Sequence, residues 1–420
     1  MGGWRVTRTT AAMLAGIFCG AAGIMPAVAD NASPDLARFR QTADEAALTG
    51  LELLGKRLFE DTALSEPRGQ SCASCHDPRH AFQGNNGSGI AVAKGAVEGK
   101  LGIRKVPTLM YKSFSPPFGF YMDVEDGKKK LQPRGGQFWD GRASDLADQV
   151  TGPLLNPIEM NNPSVGAVVA KVKAGAYADL ARAVAGPGVF DNDKTAMSAL
   201  AKAVAAFEGT ERFQPFSSKF DDYLQGRAQL TAREDEGLRL FIDPKKGNCI
   251  ACHDGAPQSH LPTNWLFTDF TYDTLGVPRN PELPDTRVAT YYDLGLCKQP
   301  GLDAHLPASI PLETLCGAFK VPTLRNVAVT GPYYHNGGIK TLREAVAFYV
   351  TRDTRPGLWY PRDKKGHPLK VNDLPADYRD NINTVEVPYD RKPGQKPRLN
   401  DREIDAIVAF LKTLTDKGMQ

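Results

Sequence analysis

One five-residue pattern occurs twice in this chain, as "CASCH" (Cys72, Cys75, His76) and as "CIACH" (Cys249, Cys252, His253). Four cysteine thiolates could close a tetrahedral zinc site, but zinc-binding pairs usually lie tens of residues apart, and these lie 177 apart. A thioredoxin-like dithiol would sit on a strand–helix unit, and no such unit is legible here. Neither reading needs a histidine after the second cysteine, let alone twice. Cys-x-x-Cys-His is the attachment pattern of a c-type haem, in which each sulfur bonds a porphyrin vinyl carbon. The histidine then binds the iron from one face. The pattern predicts two covalently bound c-type haems, with His76 and His253 as iron ligands.

The surrounding sequence repeats as well. "LGKRLFEDTALSEPRGQSCASCHDP" (54–78) resembles "GLRLFIDPKKGNCIACHDG" (237–255), "RKVPTL" (104–109) matches "FKVPTL" (319–324), and "FWDGRASDLADQV" (138–150) echoes "YHNGGIKTLREAV" (334–346). Three landmarks in the same order argue for duplicated domains. The long segments between them read as helix: "VGAVVAKVKAGAYADLARAV" and "TAMSALAKAVAAFEGTERF" are Ala-rich with apolar residues at helical spacing. "NDREIDAIVAFLKTLTD" opens on an Asn cap and carries a stripe of Ile404, Ile407, Val408 and Leu411. No convincing run of alternating strands is present, and "SFSPPFGFYMDVEDGKKKLQPRGGQ" reads as loop. The 40 glycines and 31 prolines suit helices and long loops wrapped round something other than a large apolar core. The expected fold is mainly α: two cytochrome c-like helical domains, each with one covalent haem, over 30–213 and 214–420. The last helix is expected to pack back on the first domain.

The chain opens with Arg5 and Arg8, an apolar run from Ala11 to Ile24, and "AVAD". This is a signal-peptide pattern over residues 1–29 and predicts export to the periplasm. The run is short and rich in Ala and Gly, which argues against an anchor, and no later stretch is apolar for long enough to span a bilayer. Without the leader the formal charge falls from +3 to +1. A nearly neutral chain gives no reason to expect nucleic acid as a partner. Cys297 and Cys316 lie outside both motifs and flank a Pro-rich insertion, so in an oxidising compartment they are expected to form a disulfide.

Taken together, "CASCHDP", "FWDGRASDLADQVTGPLLNPIEM", "CIACHDG", "FKVPTLRNVAVTGPYYHNGG" and "AIVAFLKTLT" resemble the bacterial di-haem cytochrome c peroxidase / MauG family, in that family's order. The resemblance implies an N-terminal haem that meets hydrogen peroxide and a C-terminal haem that stores and relays electrons. It implies that Trp139 lies between the two, and that Glu159 stands over the peroxidatic iron accompanied by Gln149. Cleaving a peroxide O–O bond needs a proton moved from one oxygen to the other, which a carboxylate can do. Without the resemblance, Glu159 would read as a helix-start residue favoured by the macrodipole, and Trp139 as a core aromatic.

The departures from the family carry information too. Many relatives place a Met fourteen residues after the His of "YYHNGG" as second ligand of the C-terminal iron; counting from His335, this chain has Tyr349. The match of position implies that Tyr349 ligates that iron, as in MauG, although Leu342, Val346 and Tyr349 also share one helical stripe, as an ordinary buried tyrosine would. The N-terminal haem lacks a second histidine, since the relevant stretch reads "GSGIAVAKG". Relatives also hold a calcium between the domains, partly by an Asn before the first "xPT" (here "VPT", 106–108) and by backbone carbonyls that match Thr330 and Pro332. Here Lys105 stands in the place of that Asn, and its charge could replace the ion's.

The expected activity is peroxide reduction with electrons from a small cytochrome or cupredoxin. Oxidation of side chains on a partner protein, as by MauG, is the alternative, and a non-catalytic di-haem electron carrier is the rival from another class.

Overall fold

The computed structural model describes residues 36–125 and 128–419. The expected signal peptide lies outside them. Among the described residues the chain is mainly helical with three small two-stranded sheets. The helices are α1 (Gly50–Glu60), α2 (Cys72–Cys75), α3 (Leu146–Leu155), α4 (Val165–Lys173), α5 (Ala178–Ala185) and α6 (Asp193–Glu208), then α7 (Lys219–Leu224), α8 (Ala232–Ile242), α9 (Leu342–Thr351) and α10 (Asp401–Lys412). Their starts are written in the sequence. Thr49 with Glu52, Thr231 with Glu234, Thr341 with Glu344 and Asn400 with Glu403 each form a capping box, satisfying amides that a first helical turn leaves unpaired.

Two hydrophobic cores result. The first gathers α1, α3, α4 and α6 with Phe59, Phe82, Phe207 and Phe213; the second gathers α8, α9 and α10 with Phe220, Phe241, Phe267 and Phe410. The same close crossing anchors each. At Gly55 on α1 a Cβ would lie 2.0 Å from the Ala203 carbonyl on α6, and at Gly237 on α8 a Cβ would lie 2.0 Å from the Ala406 carbonyl on α10. Only glycine permits helix backbones to approach so closely. The sequence repeat is thus a repeat of packing.

Three details differ from the sequence expectation. The run over 165–184 is two helices, α4 and α5, broken at Ala174–Tyr177. The segment read as loop holds a seven-residue antiparallel hairpin, β3 (Gly119–Glu125) with β4 (Lys128–Arg134), in register from Gly119↔Arg134 to Glu125↔Lys128. Its Pro and Lys content hid the alternation, because neither residue is a typical strand former. The other pairs are β1 (Val92–Lys94) with β2 (Leu101–Lys105), and β5 (Tyr272–Asp273) with β6 (Phe319–Lys320). Last, α10 packs on α8 and α9 within the second core rather than back on the first. Its stripe is Ile404, Ile407, Phe410 and Leu411, with Val408 half-buried.

The tail beyond α10 does reach across. The Asp416 carboxylate accepts from Tyr111 Oη and Asn326 Nδ2, both at 2.8 Å, and from the Ser217 amide at 2.9 Å. Beside it the fully buried Arg325 pairs with Asp221 and lies over the Tyr111 and Phe216 rings. No helix among the described residues is long and apolar enough to cross a membrane.

Candidate haem sites and the residues between them

Each Cys-x-x-Cys-His segment is a single tight turn, α2 in the first copy and a 3₁₀ turn over Cys249–Ala251 in the second. Each is followed by a loop that fixes the histidine. His76 Nδ1 lies 2.9 Å from the Phe82 carbonyl, and His253 Nδ1 lies 3.1 Å from that of Phe267. Both phenylalanines adopt positive φ, 52° and 55°, a strained conformation that aims the carbonyl at the ring. The repeated "VPTL" explains how the strain is held. Thr108 Oγ1 donates to the Ala81 carbonyl at 2.5 Å, and Thr323 Oγ1 donates to the Leu266 carbonyl at 2.6 Å, one residue before each phenylalanine. With Nδ1 engaged, Nε2 is the nitrogen left for a metal. Burial lowers both histidines to about 4, so each is neutral and able to ligate near pH 7.

The four cysteines of the motifs are free thiols, and burial pushes Cys72 and Cys249 up to about 12 and Cys75 to about 11. A dithiol switch or a zinc thiolate site needs the opposite shift. Cys249, Cys252 and His253 open instead onto a mostly apolar cavity that, with its mouth, contains ≈ 1530 Å³ of empty space. Tyr334, Tyr349 and Tyr389 line it together, with the Tyr349 ring 5.9 Å from each of the other two. The residues fit a haem: two thiols, a neutral imidazole, a large apolar slot and a tyrosine. Burial first, then the nearby Cys252, raises the Tyr349 hydroxyl.

The first copy is built differently. Glu159 is not at a helix start. It lies in the turn after α3, where the Asn156 side-chain amide donates to Glu159 Oε1 at 2.6 Å. The turn is clamped from two sides, by Ala96 N on the Glu159 carbonyl at 2.7 Å and Glu66 N on the Met160 carbonyl at 2.8 Å. Gly95 allows the first clamp, because a Cβ there would sit 2.4 Å from the Ile158 carbonyl. Burial raises Glu159 above its ordinary 4.5 against the pull of Arg142, and its charge in turn raises Cys72 and Cys75. Gln149 is half-buried on α3.

Between the sites the two halves exchange hydrogen bonds. Trp139 donates Nε1 to the Lys105 carbonyl, Lys105 donates its amide to the His335 carbonyl and Lys320 donates its amide to the Trp139 carbonyl, all at 2.8 Å. Trp139 and His335 both line the cavity of the second motif. The His335 ring stacks on Phe319 at 3.6 Å and 8°. The Arg104 guanidinium bridges Asp140 and Asp293, whose partners lie in different halves of the chain.

Calcium does not fit its expected place. The Thr330 carbonyl is already taken, at 2.6 Å, by the Lys105 ammonium. Cys297 and Cys316 are joined in a disulfide inside a small cluster with Leu296, Leu302 and Leu315.

Several residues of the sites carry no local signal in the sequence. Tyr389 stands in an unpatterned loop with no local signal. Lys112 sits near enough to His76, Lys105 and Lys320 to lower all three, and is itself lowered by burial to about 8. Lys320 was visible in principle, as the Lys that opens the second "KVPTL" just as Lys105 opens the first.

Residues 50–229 match the family described as di-haem cytochrome c peroxidase. The methylamine utilization protein MauG of Paracoccus denitrificans is 38% identical over 90% of this chain and 92% of its own length. Cytochrome c551 peroxidase of Nitrosomonas europaea is 30% identical over 81% of this chain and 84% of its own. The crystal structure of the di-haem peroxidase BthA from Burkholderia thailandensis superposes with a TM-score of 0.80 at 40% identity, covering 90% of this chain and 88% of that one. The duplicated packing, the paired motifs with their fixed histidines and these likenesses agree: the chain belongs to the di-haem cytochrome c peroxidase / MauG family and is a di-haem peroxidase-type oxidoreductase.

Proposed function

We propose that this is a periplasmic enzyme that reduces hydrogen peroxide beside His76 and takes the electrons, through the site of His253, from an external donor. Cys72, Cys75 and His76 would hold one haem in the first helical domain, and Cys249, Cys252, His253 and Tyr349 the other in the second. When bound, the haems supply peroxide reduction at one iron and charge storage at the other. The observation that carries this reading is the asymmetry of the two sites: a buried carboxyl, Glu159, beside the first motif, and a tyrosine, Tyr349, lining the same cavity as His253.

The chain's own part is proton handling and positioning. Reducing one peroxide to two waters consumes two electrons and two protons. Glu159 would take the proton from one peroxide oxygen and return it to the other as the O–O bond breaks. The Asn156 bond holds Oε1, which leaves Oε2 for that transfer. Gln149 would orient the peroxide. Trp139, bonded to Lys105 in its own half and to Lys320 of the other, would carry the electron path. One similar solved structure, at 40% identity, is a Tyr-to-Met variant of the di-haem peroxidase BthA.

A second reading is favoured by the likeness to MauG: the electron donor is a side chain of a partner protein, which is oxidised in place. Steady-state peroxide consumption with a reduced small c-type cytochrome or cupredoxin tests the first reading. Rapid oxidation of either carrier supports it. Indifference to both, with peroxide still consumed slowly, would shift the assignment to the second.

A further inference from the structure

Two lysines in this chain are buried with their side chains reaching into the other half. Lys105, 7% exposed at the end of β2, donates Nζ to the Thr330 carbonyl at 2.6 Å, across 225 residues of sequence. Lys320, 4% exposed at the end of β6, donates Nζ to the Gly136 carbonyl, across 184 residues. Each opens a "KVPTL" segment, and each gives its backbone amide to an inter-site residue of the other half, Lys105 to His335 and Lys320 to Trp139. The two contacts are therefore related by the duplication.

Around Thr330 the oxygen atoms face nitrogen donors. The Gln83 side-chain amide also faces the Thr330 and Gly331 carbonyls, at 3.1 and 3.2 Å, and with its nitrogen turned towards them it would donate to both, beside the Lys105 contact. A calcium ion needs six to eight oxygen ligands. An ammonium supplies three donors and no acceptor, so it competes with a metal for such carbonyls and cannot join it. Among the described residues no group of three or more His, Cys, Asp or Glu is placed to hold a metal.

We propose that Lys105 fills the position of an interdomain divalent cation and, with Lys320 as its counterpart on Gly136, forms a built-in lysine clasp that keeps Trp139 and His335 in register, so that the protein needs no calcium. Burial, with repulsion from Lys112, brings Lys105 down to about 7. The neutral amine still donates to Thr330, so the clasp works first as a hydrogen bond. Both lysines are positioning residues, and the clasp rests on the peroxidase reading only for what it positions.

The test uses the mature protein with both haems. Elemental analysis is expected to find calcium well below one per chain. Chelation with EGTA and addition of calcium are expected to leave the Soret spectrum and melting temperature unchanged. The K105N variant, which restores a carboxamide oxygen, is expected to melt lower and to recover on adding calcium chloride. One tightly held calcium per wild-type chain would overturn the proposal. So would a K105N protein that melts like wild type and ignores calcium. If K105N does not fold, the wild-type metal content and chelator response still decide. None of these readouts involves peroxide turnover, so failure here leaves the peroxidase reading standing, and the reverse.

Discussion

The Asn156 amide meets Glu159 Oε1 at 2.6 Å, inside a turn whose next carbonyl is pinned by Glu66. A carboxylate held this way is ready for proton transfer at its other oxygen. E159Q keeps the shape and loses the base, so peroxide turnover should fall by about a hundred- to ten-thousand-fold, the range typical of positioned acid–base groups. N156A should fall less, because the turn keeps its backbone clamps. Stopped-flow mixing with peroxide measures both, and an E159Q rate equal to wild type would remove Glu159 from the mechanism.

The same residue sets a pH dependence. Burial raises the Glu159 pKa above 4.5, and the deprotonated form is the one that accepts the first proton. Activity should therefore be full at neutral pH and fall as pH drops through a value above the ordinary carboxylate range. The acid limb should disappear in E159Q. A limb at or below 4.5, or one unchanged in E159Q, would contradict the assignment.

The close helix crossings give a stability prediction in duplicate. G55A and G237A each force a methyl to within 2.0 Å of a helix carbonyl. Overpacking of this kind typically costs about 1–3 kcal/mol. Each variant should lower the melting temperature, measured by circular dichroism, and a neutral result at both sites would mean the crossings are looser than they stand here.

The Cys297–Cys316 disulfide closes a loop of 19 residues round a small apolar cluster. Closing a loop of that length is worth about 3 kcal/mol by the chain-entropy argument. The C297A/C316A double variant should unfold at lower denaturant concentration and keep its haem spectra, because neither cysteine lines the cavity of the second motif.

Much of this arrangement was legible in the chain because chemistry fixes residue type and spacing. The two haem motifs, the capped helices and the recurring "VPTL" all recur in register, and the structure gives the last a reason: its Thr holds the strained turn behind each histidine. What stayed hidden depends on contacts between distant segments. The β3–β4 hairpin is masked by Pro and Lys in its own strands. The site of α10 against α8 follows from Gly237, a glycine with no local signature of a crossing. Tyr389 reaches the cavity from a loop without periodicity. Lys105 departs visibly from the family's Asn, but its bond to the Thr330 carbonyl is a fact of tertiary structure.

Tyr349 lines the cavity of His253 with Tyr334 and Tyr389, and in the proposed reading it is the second ligand there. Y349F should remove an oxygen ligand and change the low-spin resonance, while Y349M should exchange it for a thioether and raise the reduction potential of that iron. A low-spin signal identical in Y349F and wild type would show that Tyr349 is packing alone.

The central claim is that the two haem sites are unequal, one open for peroxide and one closed by two ligands. Paramagnetic resonance of the ferric protein with both haems bound, before and after one equivalent of peroxide, tests it most directly. The account predicts one high-spin and one low-spin centre at rest, with both signals changing on peroxide addition in the absence of any donor. Two low-spin centres indifferent to peroxide would contradict it.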